Sequence, residues 1–202
     1  MLTTQSVQDW MQKVNEYMQE NKAYLTELDQ AIGDSDHGIN MSRGFQEVSK
    51  KLEQSTYDDA AAVLKDVAMT LMSKVGGASG PLYGTAFLKM SMAVKGKDTV
   101  DKEAFAAGLE AAAQGIQQRG KSTAGEKTMV DVWAPLVSWW KEQDEIDPEG
   151  LEAAAKEAME ATKPMEATKG RASYLKEKSI GHIDPGSASS YYIFKSLAEV
   201  LV

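Results

Sequence analysis

Within the sixteen residues Asp29–Gly44 (DQAIGDSDHGINMSRG) stand three aspartates, Asp29, Asp34 and Asp36, followed at once by His37, Gly38, Ile39 and Asn40. A turn between two helices needs a glycine or two and a capping Asp or Asn. It does not need three aspartates at i, i+5 and i+7. Carboxylates this close repel one another, and such clusters usually have a compensating cation. Hard oxygen ligands without an all-protein cage suit magnesium, which shares its shell with water and phosphate. The calcium loop of an EF-hand does not fit: counted from Asp34, its glycine position holds Ile39 and its closing acidic position holds Phe45.

Three other loops are richer than connectors require. Gly76–Pro81 (GGASGP) is glycine-rich and precedes a helix, as phosphate cradles do, but it lacks the Lys-Ser/Thr of a Walker A loop. A plain helix–helix turn is the alternative. Gly120–Met129 reads either as a mobile polar surface loop or as a lid over a ligand. Arg171, with the turn His182-Ile183-Asp184-Pro185-Gly186, completes the set. An arginine beside phosphate neutralises charge on a transferring group. His37 and His182 read as loop hydrogen-bonders, and neither is assigned as a phosphoryl acceptor. Each loop lies at a helix end, where free N–H groups favour anions. Together they describe a magnesium-dependent phosphoryl-transfer site built on helices.

The elements that must position these loops are helical. Val7, Trp10, Met11, Val14, Tyr17 and Met18 form one stripe of period 3.6. Comparable stripes predict helices over Lys22–Gln30, from Met41 to about Glu53, from Ala62 through Met72, and from Pro81 to near Gly96. Asp58-Asp59 is placed to cap the third of these, and Asp98 or Asp101 opens an alanine-rich helix through Gln118. Thr128–Lys141, a helix from Asp147-Pro148 ended near Pro164, and a final helix carrying Tyr191 to Leu201 follow. Strand-like alternation is nearly absent. The expectation is an all-α chain of eight or nine helices, antiparallel in a bundle or barrel, forming a single domain over residues 1–202.

Composition limits the function. Lys plus Arg is 22 and Asp plus Glu is 30, a net charge of −8, which argues against general nucleic-acid or anionic-membrane binding. There is no cysteine, so thiolate chemistry and disulfides are excluded. The N-terminus lacks the basic and apolar regions of a signal peptide, and no apolar run approaches the roughly 18–20 residues of a membrane span. These features point to a cytoplasmic protein.

In these motifs the chain resembles the nucleotide-binding L subunit (DhaL) family of bacterial dihydroxyacetone kinases. The segments that carry the resemblance are Leu28–Gly44 (LDQAIGDSDHGINMSRG), Val75–Gly84 (VGGASGPLYG), Arg119–Trp133 (RGKSTAGEKTMVDVW) and Lys169–Ser187 (KGRASYLKEKSIGHIDPGS). The resemblance implies an antiparallel barrel of eight amphipathic helices with the nucleotide at one end. Asp29, Asp34 and Asp36 would coordinate two magnesium ions that bind the phosphates of ADP. His37, Gly38, Ile39 and Asn40 would line the phosphates, alongside Ala78 and Ser79. Gly120 and Met129 would flank the adenine, and Arg171 with Asp184, Pro185 and Gly186 would complete the pocket, Arg171 as its catalytic residue.

It further implies that bound ADP is rephosphorylated by a phosphohistidine donor (M) subunit of the phosphotransferase system. The γ-phosphate then passes to dihydroxyacetone on a separate K subunit. A homodimer is compatible with this reading. Two alternatives stay open at the level of sequence. One is the nucleotide subunit of another two-part kinase acting on a small polyol, keto-sugar or fatty acid. The other is a non-catalytic ADP-binding adaptor.

Overall fold

The computed structural model describes residues 1–97 and 99–201. Among them are nine α-helices and one 3-10 segment: α1 (Thr4–Glu20), α2 (Lys22–Ile32), α3 (His37–Glu53), α4 (Ala60–Lys74), α5 (Ser79–Ala93), α6 (Lys102–Gly120), α7 (Val130–Glu142), α8 (Pro148–Ala161), the 3-10 segment Arg171–Ser179, and α9 (Pro185–Val200). An isolated antiparallel bridge between Leu2 and Val100 is the one β contact among the described residues. No described helix is long and apolar enough to cross a membrane.

Neighbouring helices alternate in direction and close a ring. α3 through α9 pack in sequence order, α1 packs against both α3 and α9, and α2 lies against α3 at one end. The ring is therefore an antiparallel barrel of eight helices with α2 across its rim. In such a ring α3, α5, α7 and α9 begin at the same end, where α4, α6 and α8 finish. The loops that sequence analysis singled out all fall there.

The stripes bury as their spacing requires. Val7, Trp10, Met11, Val14 and Met18 of α1 are all buried. They meet an aromatic array in which Trp10 packs on Phe87 at 5.8 Å, Phe87 on Trp133 at 6.3 Å and Trp133 on Phe194 at 4.9 Å. Edge-on geometry of this kind adds to the area term of burial. The Trp10 indole N–H donates to the Ile193 carbonyl at 2.8 Å, so this large ring is buried without an orphaned donor. Three members of the expected stripes stay outside: Tyr24 and Met72 are exposed, and Tyr17 bonds Glu199 and stacks on Tyr192 instead.

Aspartate caps start four helices. Asp59 accepts from Ala62 N at 2.7 Å, Asp101 from Ala104 N at 2.8 Å, Asp147 from Gly150 N at 2.9 Å and Asp184 from Ser187 N at 2.7 Å. The expectation for Asp98 falls outside the described residues; Asp101 is the cap. α8 ends at Ala161, ahead of Pro164 as expected. Elsewhere helix starts differ from the sequence reading. α3 begins at His37 rather than Met41, α5 at Ser79 rather than Pro81, and α9 at Pro185 rather than after Ser187. In each case a Gly-, Ser- or Pro-rich first turn reads as loop but is already helical.

Candidate functional site

The acidic loop is built by a cap that comes from the preceding helix. Asp36 precedes α3 but makes no side-chain cap. Instead Asp29, in the last turns of α2, accepts from the N–H groups of Asp36 (2.8 Å) and His37 (3.0 Å) through Oδ2. Ser35 turns the chain with a left-handed φ of 65°. A Cβ at Gly33 would lie 2.0 Å from Asp29 Oδ1, so a residue with no side chain keeps that second oxygen open. One carboxylate oxygen from each of Asp29, Asp34 and Asp36 lies within 4.8 Å of the others. Three hard oxygen donors this close fit a divalent cation of the magnesium type. The one ion pair that reaches the cluster among the described residues is Arg171 to Asp34 at 3.0 Å, made by a guanidinium whose side chain is 70% exposed.

Two adjoining cavities open beside the cluster. The first, about 530 Å³, is walled by the three aspartates, His37, Gly76–Ser79, Lys127–Met129, Lys169–Ala172 and Asp184–Gly186. The second, about 460 Å³, is lined by Pro81, Leu82, Ile116, Arg119, Gly120 and Ser122. Ala78, Leu82, Thr128, Met129, Lys169 and Gly170 face both. One chamber is thus acidic and ringed by the N-termini of α3, α5 and α9. The other is mostly apolar and suits a flat ring. Helix N-termini favour anions, whereas clustered carboxylates favour cations. Both together suit an anion held through a metal ion.

The residues named from sequence divide as follows. Asp29, Asp34, Asp36, His37, Ser79, Arg171, Asp184, Pro185 and Gly186 line the first cavity, Ala78 and Met129 line both, and Gly120 lines the second. Gly38, Ile39 and Asn40 follow His37 in the first turn of α3 and do not wall either cavity. A Cβ at Gly38 would sit 2.1 Å from the Lys22 carbonyl, so this glycine lets α3 approach α2. Ile39 points to solvent. Asn40 Oδ1 accepts from Arg43 at 2.8 Å and would lie 2.9 Å from a Cβ at Gly76, so it packs behind the glycine turn.

His37 is buried between Ser79 (3.2 Å from Nδ1) and Ser189 (2.9 Å from Nε2). Burial pulls its pKa down to about 4, against the opposing pull of Asp29 and Asp36, so the ring is neutral at pH 7. Asp184 is pushed the other way, to about 7, chiefly by burial and further by Asp131, with the Ser187 N–H opposing. His182 contributes its carbonyl, not its ring, to the structure around the cleft.

Lys127 is the residue that sequence analysis missed. It is 1% exposed, and its ammonium donates to the carbonyls of Thr162 (2.8 Å), Met165 (3.0 Å) and His182, with Lys163 farther off at 3.4 Å. Desolvation lowers its pKa, while Asp184 supports the charged form. The Gly120–Met129 segment is therefore not a free surface loop. Lys127 stitches it to the chain on either side of Arg171, and Asp131 accepts from Thr128 N at 2.7 Å and from Gly125 N. No local pattern marks such a lysine, because its partners are backbone oxygens some 35 to 55 residues away.

Residues 31–199 match the DAK2 domain. Over 202 residues, all of both chains, the sequence is 54% identical to the PTS-dependent dihydroxyacetone kinase, ADP-binding subunit DhaL of Lactococcus lactis. It is 50% identical over 96% of this chain to the ADP-binding subunit DhaL of PEP-dependent dihydroxyacetone kinase 1 from Listeria innocua, covering 94% of that protein. The dihydroxyacetone kinase of C. freundii, solved in complex with AMP-PNP and Mg2+, superposes with a TM-score of 0.73 at 25% identity. That match covers 96% of this chain and 33% of the solved one. The chain therefore belongs to the DAK2 domain family, and its full-length relatives are the DhaL subunits of dihydroxyacetone kinases.

Proposed function

We infer that this chain is the ADP-binding subunit of a phosphotransferase-system-dependent dihydroxyacetone kinase. The observation that carries the inference is the two-chambered cleft, with three carboxylates within 4.8 Å of one another, in a chain 54% identical end to end to such a subunit. Asp29, Asp34 and Asp36 would hold magnesium, two ions in the fullest reading. Bound there, magnesium supplies charge neutralisation between phosphate oxygens.

The chain's own groups do the rest. The first-turn N–H groups of α5 and the Gly186 N–H of α9, with Ser79, orient phosphate oxygens. Leu82, Ile116 and Met129 offer the apolar surface for adenine, beside Gly120. Arg171, largely exposed, reaches the acidic cluster and neutralises charge on the phosphoryl group in transit. Asp184 caps α9 and fixes the Pro185-Gly186 wall. His37 is not placed as a covalent acceptor, since both its ring nitrogens are engaged.

The acceptor and donor then lie on other chains. A phosphohistidine of the donor subunit rephosphorylates the bound ADP, and the γ-phosphate passes to dihydroxyacetone on the K subunit, in the cytoplasm. The test is reconstitution with the cognate K and donor subunits, phosphoenolpyruvate and dihydroxyacetone. Dihydroxyacetone phosphate should form only when this chain, magnesium and catalytic ADP are all present. Formation without this chain, or none with all components, sinks the inference.

A further inference from the structure

Lys127 ends in a cage of main-chain oxygens. Its buried ammonium meets the carbonyls of Thr162 at 2.8 Å, Met165 at 3.0 Å, Lys163 at 3.4 Å and, closest of all, His182. It takes part in no ion pair among the described residues. An ammonium has three N–H groups and no acceptor. Four oxygens crowd it, so the cage answers to charge and size as much as to the direction of single bonds. Carbonyl oxygens gathered in this way are also what replaces the water shell of a potassium ion. Magnesium, which needs oxygens at about 2.0–2.1 Å, is too small for these spacings.

The four oxygens belong to the two limbs of one loop. Thr162, Lys163 and Met165 lie where the chain leaves α8, and His182 lies where it returns to α9. The same neck is pinned by Gly181 N–H to the Lys163 carbonyl at 2.8 Å and by Asp184 N–H to Thr162 Oγ1 at 3.1 Å. Inside the loop, Ala167 and Ala172 form a small apolar cluster with Ile32 of α2, separate from the main core. Little else apolar holds it: Tyr174 is 87% exposed. A loop so thinly packed is ordered chiefly by closing its neck, against the entropy of the chain between. Arg171 rides on this loop and reaches Asp34 from it. Lys127 comes from a third segment, between α6 and α7, and also lines the first cavity. It therefore ties the base of the loop to the wall of the cleft.

We propose that Lys127 is a positioning residue for Arg171: its ammonium is a monovalent cation tethered in a cage of the potassium type, and it closes the loop that holds Arg171 over the aspartate cluster. The part played by Arg171 rests on the phosphoryl-transfer reading of the cleft, whereas the cation cage does not. The test uses full-length Lys127→Ala, which removes the tether and leaves the oxygens. Hydrogen–deuterium exchange over residues 162–184 and phosphoryl transfer in the reconstituted system are each measured in potassium chloride and in tetramethylammonium chloride at equal ionic strength. In tetramethylammonium, too bulky for the cage, the variant should lose protection over 162–184 and transfer about tenfold or more slowly. Potassium should restore most of both, and the wild type should not distinguish the salts. Equal behaviour of Lys127→Ala in the two salts overturns the proposal, and so does restored protection without restored transfer. If Lys127→Ala is unfolded in tetramethylammonium, the contrast is read as recovery of helical circular dichroism on adding potassium, and no recovery overturns it. A wild type that transfers nothing fails the phosphoryl-transfer reading and the role of Arg171 with it; the cage then stands or falls on the protection data alone.

Discussion

Replacing Lys127 by methionine should loosen the cleft from behind without touching a cavity-facing carboxylate. The ammonium is 1% exposed and bonds the carbonyls of Thr162, Met165 and His182, with Lys163 more distant at 3.4 Å. A hydrogen bond from a charged donor contributes about 1.5–3 kcal/mol, but burying the ammonium offsets part of that sum. Methionine fills the volume of the stem and leaves three or four carbonyls without their donor. The net loss should be about 3–5 kcal/mol. It should not fall evenly on the barrel. The carbonyls belong to the connection between α8 and α9, which also carries Arg171 and Asp184, so the weakened unit is residues 162–184.

Hydrogen–deuterium exchange by mass spectrometry reads this directly. Peptides spanning 162–184 should lose protection by a factor of order 100 or more, equivalent to about 3 kcal/mol, while those of α4 and α5 change far less. Lys127→Arg should not rescue, because the planar fork does not fit a site built for a point charge. If 162–184 keeps wild-type protection in Lys127→Met, the staple carries no weight and this account of the segment is wrong.

Further outcomes follow from the same geometry. Asp34→Asn should abolish magnesium-dependent ADP retention while circular dichroism keeps its helical signal; lost helicity would make the loop structural instead. Arg171→Ala should reduce phosphoryl transfer more than ADP affinity, and equal losses would leave it a plain ligand contact. Gly38→Ala puts a methyl 2.1 Å from the Lys22 carbonyl, a backbone atom, and should lower stability by roughly 2 kcal/mol or more in urea denaturation. Asp184, with its pKa raised from 3.8 to about 7, binds its proton more tightly folded than unfolded. Its contribution is fully present below pH 4 and is lost as pH rises towards 7. Stability of the wild type relative to Asp184→Asn, which keeps a good cap, should therefore fall across that window by at most about 4 kcal/mol. A flat difference between the two proteins would refute it.

Much of the barrel was legible because it rests on local rules. The stripe of Val7, Trp10, Met11, Val14 and Met18 is written within one helix, and the caps Asp59, Asp101 and Asp147 each within one turn. The clustering of the three aspartates was legible because no turn needs them. What escaped depends on distant parts of the chain. α3 starts at His37 because Asp29, seven and eight residues upstream, caps its first turn. Lys127 acquires its role from carbonyls brought near by folding. Ser189 and Ser190 look like surface positions of an amphipathic helix until Tyr83 and Trp133 close over them. The 3-10 segment Arg171–Ser179 has too little apolar periodicity to announce itself, and it contains Lys176 at a φ of 51°.

The central claim is that this cleft carries ADP through a metal held by Asp29, Asp34 and Asp36. Native mass spectrometry of the gently purified protein tests it most directly. The account predicts a mass excess equal to one ADP with two magnesium ions, lost in Asp34→Asn. A wild-type spectrum showing only the bare chain, unchanged by added ADP and magnesium, would contradict it.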